Sequence, residues 1–74
     1  MFNKNKKIIS VKGMQCHHCE NAVELSIRGN CDWVTKVKAD HEGNSVTVFY
    51  KGEWSEDRMN DIEEAVRTAG YEVE

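Results

Sequence analysis

The stretch from Ser45 to Gly70, SVTVFYKGEWSEDRMNDIEEAVRTAG, changes its hydrophobic period partway along. In Ser45–Tyr50, Val46, Val48 and Tyr50 alternate with Thr47 and Phe49, the two-residue period of a strand. From Ser55 onward, Met59, Ile62, Val66 and Ala69 recur at spacings of three, four and three, which places them on one face of a helix. Ser55 reads as the N-cap, and Glu56 and Asp57 suit the positive end of the helix dipole. Gly70 stands where a helix needs a residue free to turn left-handed. Trp54, just before the cap, is placed to staple onto the helix through Met59.

Working outward, the turn cluster His41-Glu42-Gly43-Asn44 joins this unit to an earlier alternating run, Trp33 to Ala39, in which Trp33, Val37 and Ala39 share a parity. Before it, Cys19, Ala22, Val23, Ser26 and Ile27 mark a helical stripe over His17 to Arg28, with Gly29-Asn30 as its stop signal. Lys6 to Lys12 is a first strand, Ile9 and Val11 on one side, ending at Gly13. Tyr71 and Val73 leave room for one short final strand. The order strand, helix, strand, strand, helix, strand predicts an α+β, ferredoxin-like βαββαβ plan: a four-stranded antiparallel sheet with two helices on one face.

The whole chain, 74 residues, reads as one domain over 1–74, without linker, repeat or low-complexity segment. It is 39% hydrophobic and 31% charged, enough apolar residues for one modest core. No apolar run approaches the ~20 residues of a membrane span, and the apolar run after the lysines is too short for a signal sequence. The expectation is a cytoplasmic protein, not inserted in a membrane. The net charge of −3 hides a gradient, with residues 1–12 carrying +4 from Lys4, Lys6, Lys7 and Lys12 and residues 53–74 carrying −6. An acidic chain argues against nucleic-acid binding. A basic N-terminal arm suits electrostatic docking on an acidic partner, although a solvated tail beside a solvated helix face is the plainer reading.

Three cysteines cannot all pair within one chain, and two of them form Cys16-His17-His18-Cys19. An odd count with one CxxC in a chain expected in the cytoplasm points to reduced thiols that bind metal or do redox chemistry. The motif lies between the first strand and the first helix. There Cys19 would fall in the first helical turn, where free N–H groups and the dipole stabilise a thiolate, and Cys16 would sit on the loop before it. Two thiolates from an exposed loop suit a soft ion of low coordination number, with Cu(I) foremost; Zn(II) prefers four ligands.

The run Gly13-Met14-x-Cys16-x-x-Cys19, the Val46-x-Val48 strand and the closing Ala69-Gly70-Tyr71-Glu72-Val73 together resemble the heavy-metal-associated domain, within it the bacterial copper chaperones and the N-terminal domains of copper-exporting P-type ATPases. The resemblance covers residues 7 to 74. It implies that Cys16 and Cys19 bind one Cu(I) per chain and pass it on by stepwise thiolate exchange with another CxxC domain. Met14 would then pack beneath the loop without ligating, and Tyr71 would be the aromatic residue near the site. Gln15 stands where zinc-selective relatives often carry Asp, which favours Cu(I). The implied partner is a copper-transporting P-type ATPase or a copper-responsive repressor. The implied state is a monomer, with a metal-bridged dimer open to it. The chain departs from the pattern at Trp33-Val34, where relatives have Gly-Val, and in the Arg28–Asp32 loop, about one residue long of the pattern and containing Cys31.

Other readings stand beside this one. Binding of Zn(II), Cd(II) or Hg(II) uses the same thiols, and an ATPase domain would look nearly the same as the free-standing chaperone that is expected here. A thioredoxin-like oxidoreductase fits poorly, since the chain is short for that fold and has no proline for its active-site cis peptide. His17 and His18 read as exposed spacers, either of which could swing in as a transient third ligand. Cys31 reads as a small buried apolar residue. Its sharper alternative is a closed zinc site of Cys16, Cys19, Cys31 and His41, disfavoured because the following strand should carry Cys31 away from the motif. Met59 reads as core, and Asp61, Glu63 and Glu64 as a solvated face. No paired acids with a nucleophile and no phosphate loop are found, so a non-enzyme is expected.

Overall fold

The computed structural model describes residues 5–74. Lys4, part of the basic arm, lies outside the described residues. Six elements follow in the order β1 (Lys6–Lys12), α1 (His17–Asn30), β2 (Val34–Asp40), β3 (Ser45–Tyr50), α2 (Glu56–Thr68) and β4 (Glu72–Val73). The strands form one sheet in the order β2-β3-β1-β4, and every neighbouring pair is antiparallel. This is the βαββαβ arrangement expected from the hydrophobic periods.

Register follows from which side chains must leave water. Ile9 pairs with Val46, and Val37 with Val48, so Ile9, Val11, Val37, Ala39, Val46 and Val48 share the covered face. A slip of one residue would turn all of them outward. Both helices lie on that face, α1 burying Val23 and Ile27 and α2 burying Ile62, Ala65 and Val66 in one continuous core. Between the helices, the Ser26 hydroxyl donates to the Ala65 carbonyl at 2.6 Å, a link that two small side chains allow by letting the backbones approach.

Both ends of α2 behave as its residues require. The Arg58 N–H donates to Ser55 Oγ at 3.3 Å. At the far end Gly70 adopts φ +98°, while the Tyr71 N–H returns to the Val66 carbonyl at 3.0 Å and the Gly70 N–H to Arg67 at 2.9 Å. That pair of bonds is a Schellman closure. It turns the chain sharply and sets the direction in which Tyr71 leaves the helix.

Two local readings change. Gly29 and Asn30 do not stop α1, which runs through both and ends at Cys31, whose N–H bonds to the Ile27 carbonyl at 3.0 Å. The reason is packing: Ile27 and Cys31, four residues apart, are both buried, and Asn30 extends its amide to the Ser26 carbonyl at 2.7 Å. Trp33 precedes β2, and a register irregularity between Val34 and Lys36 lies where the chain departs from Gly-Val. Trp54 takes as ring partners Trp33, edge-on at 5.7 Å between centroids, and Tyr50 at 5.1 Å, with the Arg58 guanidinium 4.6 Å over Trp33. Such aromatic and cation–π contacts add about 0.5–1.5 kcal/mol each beyond simple burial.

Candidate metal centre

The junction between β1 and α1 is built around one close approach. Gly13 has φ +103°, and a Cβ there would lie 3.1 Å from Tyr71 Cδ1, so glycine is required both by the backbone and by the ring against it. The next residue, Met14, turns inward and is buried in the core. It anchors the loop from beneath. Gln15 and Cys16 then emerge, and Cys16, extended at φ −160° and ψ 176°, becomes the N-cap of α1 with no side-chain capping bond. Its carbonyl accepts from the N–H groups of Cys19 at 3.1 Å and Glu20 at 3.2 Å, which starts the helix while leaving the sulfur free.

Both thiols point to one place. Cys16 Sγ and Cys19 Sγ are 3.5 Å apart; Cys16 is exposed, Cys19 half-buried, and all three cysteines are unpaired thiols. The Cys19 thiol is lowered from 9.0 to about 7, first by the nearby Tyr71 hydroxyl, then by the Gln15 backbone and the Cys16 side chain. The same proximity raises the Tyr71 hydroxyl, because ionising the phenol would set it against the sulfur. Tyr71, delivered by the Schellman turn, has the largest effect, and the backbone at Gln15 and Cys16, just before α1, adds to it.

The residues singled out in the sequence divide cleanly. Cys16, Cys19, Met14 and Tyr71 come together at this junction. Cys31 does not: it is buried at the opposite end of α1, about 18 Å along the axis from Cys19 at 1.5 Å per residue. Burial, helped by Asp61 and Asp32, pushes its thiol up to about 11. The closed site of Cys16, Cys19, Cys31 and His41 is not assembled. His41, however, does reach the metal-loop end. Its ring stands edge-on to His17 at 5.1 Å between centroids, and its Nδ1 lies 2.6 Å from Glu20 Oε2. Glu20, which nothing in its own vicinity marked out, also accepts from the His41 backbone N–H at 2.7 Å and meets His17 Nδ1 at 3.1 Å. These bonds hold the Glu20 carboxyl down at about 2 and raise His41. His17 and His18 are both exposed, as expected, and His17 in addition meets Glu20.

An inward methionine, a thiol pair at a strand-to-helix junction and an aromatic ring packed against the loop thus stand together. The heavy-metal-associated domain pattern matches residues 8–72. The chain belongs to the heavy-metal-associated domain family. Among its relatives, the copper chaperone CopZ of Staphylococcus haemolyticus strain JCSC1435 is 38% identical over 69 residues, covering 90% of this chain and 94% of that protein. The solved structure of a CopZ metallochaperone superposes with a TM-score of 0.77 at 31% identity, covering 93% of this chain and 98% of the other. The Cu(I)-loaded N-terminal domain of a potential copper-translocating P-type ATPase from Bacillus subtilis gives a TM-score of 0.76 at 27% identity, covering 93% and 82%. Among heavy-metal-associated domains the chain is therefore similar both to free carriers and to transporter domains. Among the described residues, no helix is long and apolar enough to cross a membrane.

Proposed function

We propose that the chain is a cytoplasmic copper chaperone that binds one Cu(I) between Cys16 and Cys19 and delivers it to the CxxC domain of a partner, a copper-transporting P-type ATPase or a copper-responsive repressor. The observation that carries this reading is the pair of free thiols 3.5 Å apart on an exposed junction, one of them already lowered to about 7. Thiolate, not thiol, is the ligand for a soft monovalent ion, so Cys19 offers a ligand near neutral pH without an external base. With metal–sulfur bonds of about 2.3 Å, as for zinc thiolates, sulfurs at this separation would hold an ion in a bent arrangement. A straighter one requires Cys16 to swing outward, and its exposure leaves it free to do so.

The cargo is passed on by replacing ligands one at a time. Cys16, on the solvent side, is the sulfur an incoming thiolate would displace first; Cys19, half-buried and with a lowered thiol pKa, would release last. A three-thiolate intermediate keeps copper bound throughout, so high affinity and useful transfer are compatible. Tyr71 and Met14 act here as positioning residues, one beside the sulfur and one beneath the loop. The activity is binding and handover, with no bond of the cargo's carrier made or broken beyond metal–sulfur exchange.

The test is an anaerobic Cu(I) titration of reduced protein against a competing chelator, repeated with Cys16→Ser and Cys19→Ser. One equivalent bound by the wild type and loss of competition in both variants supports the reading. Wild-type affinity in both variants overturns it. The second reading, an N-terminal domain of a copper-transporting ATPase, is favoured by the likeness to the Bacillus subtilis domain and uses the same two sulfurs. The length of the intact polypeptide in its source cell separates the two.

A further inference from the structure

We propose that His17, Glu20 and His41 form a second metal site, distinct from the thiol pair, that takes a divalent cation of borderline character such as Zn(II). One ligand atom from each of the three residues lies within 4.8 Å of the others. His17 and Glu20 stand three apart in the first turn of α1, and His41 is delivered by the turn between β2 and β3. Two imidazoles and a carboxylate are the ligand types of three-ligand zinc sites that keep a position open for water. Zinc bonds of about 2.0–2.2 Å to N and O set tetrahedral ligand separations near ~3.4 Å. The His41 and His17 ring nitrogens meet the two oxygens of Glu20 at 2.6 and 3.1 Å, so the three groups already converge, and seating an ion requires these contacts to open by a few tenths of an ångström to just under ~1 Å.

A purely structural latch accounts for half of the cluster. Glu20 and His41 have side chains 15% and 22% exposed, and the His41 backbone N–H ties the turn to α1 through the same carboxylate. His17 is different. Its side chain is 86% exposed, and so open a contact adds little to stability. Its place, edge-on to a second imidazole and on the other oxygen of one carboxylate, has the geometry of ligands converging on one ion, and its exposure leaves the ring free to close the remaining gap. The ion would occupy the place of the shared protons: each neutral imidazole shifts its proton to the other ring nitrogen, and an imidazolium releases one proton to water. The backbone N–H of His41 keeps Glu20 as its acceptor throughout. None of the three ligands is Cys16 or Cys19, so this site and the copper site stand or fall separately.

The experiment uses the full chain with Cys16→Ser and Cys19→Ser together, which removes the thiolate site. Co(II) is followed by visible absorption, and Zn(II) by competition with a chromophoric chelator. One equivalent of Co(II) with visible d–d bands and no sulfur-to-metal charge transfer is expected. Adding His17→Ala, or Glu20→Gln, which keeps an acceptor for the His41 N–H, should weaken Zn(II) binding at least about tenfold, with amide NMR spectra verifying the fold. Failure of the doubly substituted chain to bind either ion stoichiometrically, or a Zn(II) affinity unmoved by His17→Ala, overturns the proposal. Neither result bears on Cu(I) binding by the wild type.

Discussion

The two ends of α1 carry the same functional group and treat it in opposite ways. At the N-terminus Cys19 is half-buried beside a phenolic donor and backbone N–H groups, and its thiol is lowered to about 7. At the C-terminus Cys31 is buried among apolar side chains near Asp61 and Asp32, and its thiol rises to about 11. One helix, fourteen residues long, separates a reactive thiol from an inert one. Thiol chemistry here is a property of the surroundings: donors favour the thiolate, whereas burial and nearby carboxylates oppose it.

The contrast breaks most visibly under substitution of the sulfurs themselves. Cys16→Ser or Cys19→Ser should lower Cu(I) affinity by roughly a hundredfold or more, beyond the roughly 10–100-fold that outer partners of a ligand contribute, whereas Cys31→Ala should leave it within about twofold. The chelator competition described above measures both. Alkylation of the native protein followed by mass spectrometry gives the same ordering, with Cys16 and Cys19 modified and Cys31 protected until the fold opens.

Next in size is an effect on the buried end alone. Ile27→Ala, one turn before Cys31, should cost about 2–5 kcal/mol, a large share of the roughly 5–15 kcal/mol that holds a small domain folded. Denaturant unfolding should show a lowered midpoint while Cu(I) binding by the folded fraction is unchanged. A matched loss of intrinsic affinity would mean that the two ends of α1 are coupled rather than separate.

At the thiol end, Gly13→Ala forces a left-handed φ on alanine and presses its Cβ toward the Tyr71 ring; such strain costs on the order of 1–3 kcal/mol. Loss of stability accompanied by a higher Cys19 pKa is expected, since the ring is moved from the sulfur. Tyr71→Phe removes the hydroxyl without the clash, and the Cys19 pKa should move back from about 7 toward 9.0. Thiolate absorbance against pH reads this directly. Stability gives a second readout of known sign: a lowered thiol pKa contributes stability that is fully present above 9.0 and is lost as pH falls through 7. The wild type should therefore lose stability between those values more steeply than Tyr71→Phe.

The smallest effect concerns the tie between α1 and the β2–β3 turn. Glu20 is lowered from 4.5 to about 2, so its contribution is present above 4.5 and fades as pH falls to 2. His41 is raised, so its share is present below its ordinary 6.5 and fades as pH rises through its folded value. The difference in unfolding midpoint between wild type and Glu20→Gln should be greatest in mildly acidic solution and shrink on both sides. A difference that persists unchanged at pH 2 would remove the ion pair from the account.

Much of this was legible beforehand for a plain reason. Strand and helix periods, the Ser55 cap and the Gly70 stop are local, and burying one face of each element leaves few ways to assemble them. The CxxC spacing likewise keeps its two sulfurs within reach of one another at the start of α1. Gly29 misled because its flexibility suggests an end to α1, while the burial of Ile27 and Cys31 continues the helix through it. Glu20 was passed over because a glutamate in a first helical turn is ordinary, and its importance comes from a residue twenty-one positions away.

The sequence alone determined the order of elements, the core face of each strand and helix, and the two sulfurs that share one junction, since each depends on residues only a few positions apart. The tertiary structure decided what those sulfurs meet: Tyr71 beside Cys19, a dry core around Cys31, and His41 brought across to His17 and Glu20. A thiol's acidity and a carboxylate's partners depend on groups within a few ångströms in space, and only the folding of distant segments onto α1 supplies them.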